Sequence, residues 1–257
     1  MARTAIRPGW RVLPCAGVPI AACSPDEAAS EVIRLASGAL DRGVDVHLCN
    51  AYTLALADRS PEYRSMLNEA GLNLPDGKSV VWANRLVHGK AAAPRERVAG
   101  PDLFRKVFAL SETAGTRHYL IGGTPEVLEQ LIAELGRRYP AANIVGAESP
   151  PFRVLTPRER EEQVTRLVSS GAQLVWLGLG TPKQDWEAAH LARIVPAAFC
   201  AVGAAFDFVA GTKRQAPGWM QDHGLEWLYR LSTEPRRLWR RYLFGNIRFL
   251  TAMWRRR

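Results

Sequence analysis

Six helix-start signals recur after short apolar runs, each a Ser, Thr or Gly followed at once by proline: Ser24-Pro25, Ser60-Pro61, Gly100-Pro101, Thr124-Pro125, Thr156-Pro157 and Thr181-Pro182. A small residue before proline starts a helix. Its side-chain oxygen, where it has one, accepts an unpaired first-turn amide, and the N–H that proline lacks has no partner there anyway. Glu27, Glu159 and Gln184 stand three residues after their caps and predict capping boxes. Between these starts, Val44–Cys49, Leu72–Leu74, His118–Ile121, Asn143–Val145, Leu174–Leu179 and Phe199–Val202 have the length and apolar character of buried strands. Strands and helices alternating in this way predict a Rossmann-like α/β fold, with a mostly parallel sheet and helices on both faces. The first helix is core architecture, with Val32, Ile33, Leu35, Ala36 and Leu40 on one broad face and Gly43 as its stop.

A chain of 257 residues, 47% hydrophobic and 23% charged, has enough apolar surface for one full core. The expected division is an N-terminal extension over 1–16, an α/β domain over 17–223 and a C-terminal appendage over 224–257. Cys15, Cys23, Cys49 and Cys200 show no metal-ligand spacing and read as reduced thiols. No apolar run approaches the roughly 18 residues of a membrane span, and the first residues lack a signal-peptide core. The expectation is a cytoplasmic protein, soluble or peripheral.

Charge is concentrated at one end. From Arg230 to Arg257 nine arginines face a single acid, Glu234, so this segment carries +8 of the chain's +9. A near-neutral body with a cationic tail points to an anionic ligand or surface. From Pro235 onward Trp239, Leu243, Ile247, Leu250 and Trp254 recur at helical spacing, and Arg237, Arg240, Arg241, Arg248 and Arg255 fall on the other side. Such a helix either lies in a membrane interface or docks on the core with a solvated arginine face.

Several sites have residues fit for chemistry, and each has a plain structural alternative. Ile121-Gly122-Gly123-Thr124-Pro125 runs from a strand through two glycines to a capped helix, which suits a phosphate or is simply a tight turn. It is neither a Walker loop nor a full dinucleotide fingerprint. Gly178-Leu179-Gly180-Thr181-Pro182-Lys183-Gln184-Asp185 repeats the design with a cation, an amide and a carboxylate, although Gln184 also suits a capping box and Lys183 a solvated surface. Asp76, in Leu74-Pro75-Asp76-Gly77, is placed at a strand end to take a hydroxyl proton, or else belongs to an ordinary turn. Asn50 can bind a sugar or cap a helix over Ala51–Asp58. Asp207, in an apolar setting, needs a partner and serves either a structural bond or a ligand. The hydrolase signatures Gly-x-Ser-x-Gly and His-Glu-x-x-His are missing, as is the metal–nucleotide Asp-x-Asp. That pattern favours a transferase.

In order along the chain, Asn50, Leu74-Pro75-Asp76-Gly77, Arg97-Val98-Ala99-Gly100-Pro101-Asp102, Leu120-Ile121-Gly122-Gly123 and Tyr139-Pro140 are followed by Pro150-Pro151-Phe152 and Gly178 to Asp185. Gly203 to Gly211, Arg214-Gln215-Ala216-Pro217, Leu225-Glu226-Trp227-Leu228-Tyr229-Arg230-Leu231, Glu234-Pro235-Arg236-Arg237 and Arg241-Tyr242 complete the series. This series resembles the WecG/TagA/CpsF family of bacterial glycosyltransferases. The resemblance implies an inverting, metal-independent enzyme needing no cofactor. It would move an N-acetylhexosamine, N-acetylmannosamine in characterised relatives, from a UDP-sugar donor to a polyprenyl-diphosphate-linked acceptor at the cytoplasmic membrane face. It also implies Asp76 as general base and Asn50 as an orienting residue. Arg97, Gly122, Gly123, Lys183, Gln184, Asp185 and Asp207 would bind substrate, and Arg230, Arg237 and Arg241 would neutralise the departing UDP. Two positions depart from the family: Leu48 replaces a common threonine, and Asp185 the usual glutamate.

The implied partners are these two substrates and an anionic membrane, with self-association left open. A competing reading is a catalytically inactive module that binds membranes or nucleic acid through the tail. The body has no aromatic-basic RNA-binding signature, which argues against nucleic acid.

Overall fold

The computed structural model describes residues 10–38 and 41–255, apart from the side chains of residues 237 and 240–243. Leu40, expected on the first helix, lies outside the described residues. In chain order β1 (Val12–Cys15) and β2 (Val18–Ala21) form an antiparallel hairpin, followed by α1 (Pro25–Ser37), β3 (Val44–Cys49), α2 (Ala51–Arg59), α3 (Pro61–Glu69), β4 (Leu72–Pro75) and α4 (Lys78–His88). Next come α5 (Gly100–Ala114), β5 (Arg117–Gly122), α6 (Pro125–Arg138), β6 (Asn143–Glu148), α7 (Pro157–Ser170), β7 (Leu174–Gly178), α8 (Lys183–Leu191), β8 (Ala198–Ala201) and α9 (Ala205–Val209). The chain ends with α10 (Gly218–Asp222), α11 (Glu226–Thr233) and α12 (Pro235–Arg255).

The larger sheet is six-stranded and parallel, in the order β4-β3-β8-β7-β5-β6. Every residue of β3 is buried, as expected for a strand covered on both faces. The expected strands are all present, and the hairpin of β1 and β2 is an addition, because Pro14 and Pro19 break its apolar pattern. The chain divides into two compact units. One comprises Met1–Pro25, Leu48–Ala99 and Arg214–Arg257, the other Asp26–His47 and Gly100–Lys213.

The helix starts follow from local chemistry. Ser60 accepts from the Tyr63 amide and Thr124 from the Val127 amide, while Thr156 and Glu159 form a complete capping box. The capping box expected at Thr181 does not form. Helix α8 begins at Lys183 with Pro182 as its cap and no side-chain cap bond, and the Gln184 side chain instead accepts from the Gly180 amide at 3.0 Å. That amide needs an acceptor, and the Gln184 side chain supplies it.

In the second unit the core combines β5, β7 and β8 with α8, through Ile121, Val175, Leu177, Leu191 and Phe199. Trp176, fully buried, sits edge-on to Phe104 with ring centroids 4.7 Å apart and donates its indole N–H to His118 Nδ1 at 3.1 Å. Burial pushes His118 down to about 4, which keeps it a neutral acceptor.

Within the first unit the tail forms the long helix α12. Helix α12 packs against α2, and Leu238, Phe249, Ala252 and Met253 are its buried hydrophobic residues among those described, with Met253 Sδ accepting from Cys15 Sγ at 3.4 Å. A Cβ on Gly245 would lie 3.5 Å from the Tyr52 ring, so the two helices approach closely there. Arg248 and Arg255 reach the nearly fully buried Asp58 side chain at 3.3 and 2.7 Å. Trp239, Ile247, Leu250 and Trp254 are 43%, 56%, 65% and 70% exposed. The helix is therefore docked, and these four residues of its apolar stripe keep solvent-exposed surface.

Candidate functional site

In the first unit the chemistry gathers where β4 ends. The Asp76 amide donates to the Cys49 carbonyl at 3.0 Å and the Val98 amide to the Pro75 carbonyl at 2.7 Å, which pins both ends of the Pro75–Asp76 peptide. Gly77 follows with φ +84°, a conformation that a side chain would strain, and it starts α4. Asp76 therefore sits in a turn and at a strand end at once. Asn50 likewise has both expected roles. Its Oδ1 caps α2 by accepting from the Tyr52 and Thr53 amides at 3.0 and 3.2 Å, and its Nδ2 donates to Asp76 Oδ2 at 3.3 Å.

Charged groups complete this arrangement. Arg97 donates to the Glu226 carboxylate and, at 2.7 Å, to Gln221 Oε1, while Arg230 pairs with Glu226 at 2.9 Å. Desolvation pushes the Asp76 carboxyl up, and the negative charge of Glu226 adds to this. Arg97, Arg230 and the Asn50 hydrogen bond pull the other way without cancelling it. A partly buried carboxyl tuned upward beside an amide donor is suited to general-base work, since proton transfer is best when the base's pKa approaches the working pH. Glu226 and Gln221 were not picked out as site residues by sequence reasoning. Their only signal was membership of, or proximity to, the Leu225–Leu231 motif.

In the second unit the glycine turns lie at the carboxyl ends of β5, β7 and β8. Strands β5 and β7 are adjacent, with Gly122 in register with Gly178, and their onward connections run to opposite sides, to β6 and to β8. That is a topological switch point, where open α/β sheets hold ligands. Gly122 has φ +131°, and a Cβ there would come within 2.6 Å of the Gly178 backbone. Glycine is obligatory at this contact. Gly123 follows at φ +72°, its carbonyl accepting from Ser149 Oγ at 2.7 Å, and Thr124 then opens α6.

The other expected residues of this unit have distinct surroundings. Lys183 is exposed, and its Nζ lies 3.5 Å from the Pro151 carbonyl. Gln184 is buried, bound to Gly180 and set against Gly203. Asp185 is 1% exposed, with its carboxylate 3.1 Å from His47 Nδ1, so it points into the protein. Asp207 has found the partner it needed in Lys213, at 3.7 Å. Of the tail arginines, Arg230 lies in the Glu226 network, and the side chains of Arg237 and Arg241 lie outside the described residues.

A parallel sheet with a glycine-built switch point, together with a hydrogen-bonded acid–amide pair at a strand end, has the parts of an α/β group-transfer enzyme. The chain belongs to the glycosyl transferase WecG/TagA/CpsF family, whose model matches residues 13–257. It is thus a glycosyltransferase of cell-surface polysaccharide synthesis, and the match takes in most of β1.

Proposed function

We propose that the protein is an inverting, metal-independent transferase moving an N-acetylhexosamine, of the N-acetylmannosamine kind, from a UDP-sugar to a polyprenyl-diphosphate-linked sugar. Asp76 removes the proton from the acceptor hydroxyl, and Asn50 orients the carboxylate through their hydrogen bond. Arg97 and Arg230 supply positive charge near the reaction, with Arg237 and Arg241 assigned the same role from the family motif. The glycine turns at Gly122–Gly123 and Gly178–Gly180, with Lys183 and Gln184, hold the donor.

The observation that carries this reading is the Asp76 carboxyl, held up in pKa and bonded to Asn50 at a strand end. The acceptor's lipid carrier places the reaction at a membrane, and the exposed stripe of Trp239, Ile247, Leu250 and Trp254 supports peripheral attachment at the cytoplasmic face. Among the described residues no helix is long and apolar enough to cross one.

Incubation with UDP-N-acetylhexosamines and a short-chain lipid-linked acceptor is expected to release UDP. Asp76→Asn is expected to slow release by about 10²- to 10⁴-fold, the usual contribution of a positioned base, with the melting temperature held. Wild-type turnover in this variant would remove Asp76 from the mechanism.

A further inference from the structure

Asp45 and His47 stand two apart on β3 and so face the same side of the sheet. His47 Nε2 lies 3.1 Å from Asp45 Oδ2 and Nδ1 lies 3.1 Å from Asp185 Oδ1, with side-chain exposures of 0%, 2% and 1% for the three residues. A neutral imidazole has a single N–H and can serve one carboxylate only. Two ionised partners require an imidazolium donating from both nitrogens. Burial alone would push His47 down, but the hydrogen bonds to Asp185 and Asp45, with the attraction of both charges, hold it up at about 9.

Asp185 is in the first turn of α8, a helix whose start has no side-chain cap bond. Next to it, Gln184 accepts the Gly180 amide at 3.0 Å, and a Cβ on Gly203 would lie 3.2 Å from the same Gln184 oxygen. Gln184 is thus bonded to the turn after β7 and lies against the turn after β8, at the carboxyl edge of the sheet. Helix α8 packs on the sheet through Ala188 and Leu191, and the Asp185–His47 contact adds a polar tie from its first turn to β3. The Asp185 carboxylate reaches the His47 ring directly, Oδ1 to Nδ1 at 3.1 Å.

We propose that His47 is a positioning residue for sugar transfer: clamped between Asp45 and Asp185, it locks the first turn of α8 and so fixes Gln184 and the Gly180 amide in the conformation that receives the donor. The role rests on the reading of the Gly178–Gly180 turn as part of the donor site. Breaking the clamp lets the turn sample other conformations, and donor affinity falls with the population of the competent one.

The test uses the full chain with UDP as probe. Isothermal titration gives UDP affinity for wild type, His47→Gln and Asp185→Asn, and hydrogen exchange follows the Gly180 amide without any ligand. The expected result is about tenfold weaker UDP binding in both variants, with faster Gly180 exchange than global stability explains. In wild type UDP binding should weaken as pH rises through about 9, and Asp185→Asn should flatten that dependence. If His47→Gln does not fold, Asp185→Asn, which keeps the shape and a hydrogen-bonding group, and the wild-type pH series still decide the matter. Variants that bind UDP like wild type and protect Gly180 equally would overturn the positioning role and leave the donor-site reading standing. A wild type that binds no UDP would overturn both.

Discussion

At the scale of residues, Asp76 shows how one position can satisfy two readings. Pro-Asp-Gly is a turn sequence, and the turn is there, yet the same turn sets the carboxylate at a strand end beside Asn50. Its charge environment contains a second carboxylate, Glu226, that disfavours the ionised form. Glu226→Gln removes that negative charge and also frees the positive pull of Arg97 and Arg230. Both changes favour ionised Asp76. Its pKa should fall, so the acid limb of the kcat/KM profile should move to lower pH; a limb that stays in place or rises would break the link between Glu226 and the base. Asn50 and Asp76 could be picked from the sequence because each sits at the edge of a predicted element. Glu226 and Arg97, 129 positions apart, meet only through the fold.

Among elements, the two ends of the chain teach different lessons. Caps were legible wherever the bond is local, as at Ser60, Thr124 and Thr156. At Thr181 the local rule failed, because the amide in need belongs to Gly180 and the helix starts a residue later. For α12 the periodicity is legible in the sequence, but whether the tryptophan stripe meets a membrane or the core is not. A helix with three kinds of face, small and apolar, basic, and aromatic, can dock by either apolar face, and Tyr52 on α2 accepts the one that presents Gly245. Phe249→Ala, at a site 2% exposed, should destabilise the protein by about 3–5 kcal/mol in urea unfolding. Leu250→Ala, at 65% exposure, should change stability by less than about 0.5 kcal/mol while weakening sedimentation with anionic vesicles. Equal vesicle binding by Leu250→Ala would remove the stripe from membrane attachment.

For the whole molecule, the buried triad couples stability to pH. The His47 pKa is raised from 6.5 to about 9 in the folded chain, so its stabilising contribution is complete below pH 6.5 and is lost as pH rises towards 9. A shift of that size is at most about 3 kcal/mol. The urea midpoint should therefore fall between pH 6.5 and 9, and the fall should be absent in His47→Gln; a flat wild-type profile would show that the ring is not charged. The buried thiol of Cys15, pushed up to about 12 from 9.0, destabilises in the same direction only at more alkaline pH, as its unfolded counterpart ionises. The strands of the parallel sheet, the caps at Ser60, Thr124 and Thr156 and the site motifs were determined by the sequence itself, because hydrophobic period, prolines and capping oxygens act over a few residues. Tertiary structure alone decided which apolar face of α12 is buried, that Asp185 turns inward to His47, and that Glu226 meets Arg97. Each of these is a choice between partners far apart in sequence, settled by packing and by the cost of leaving a buried charge unpaired.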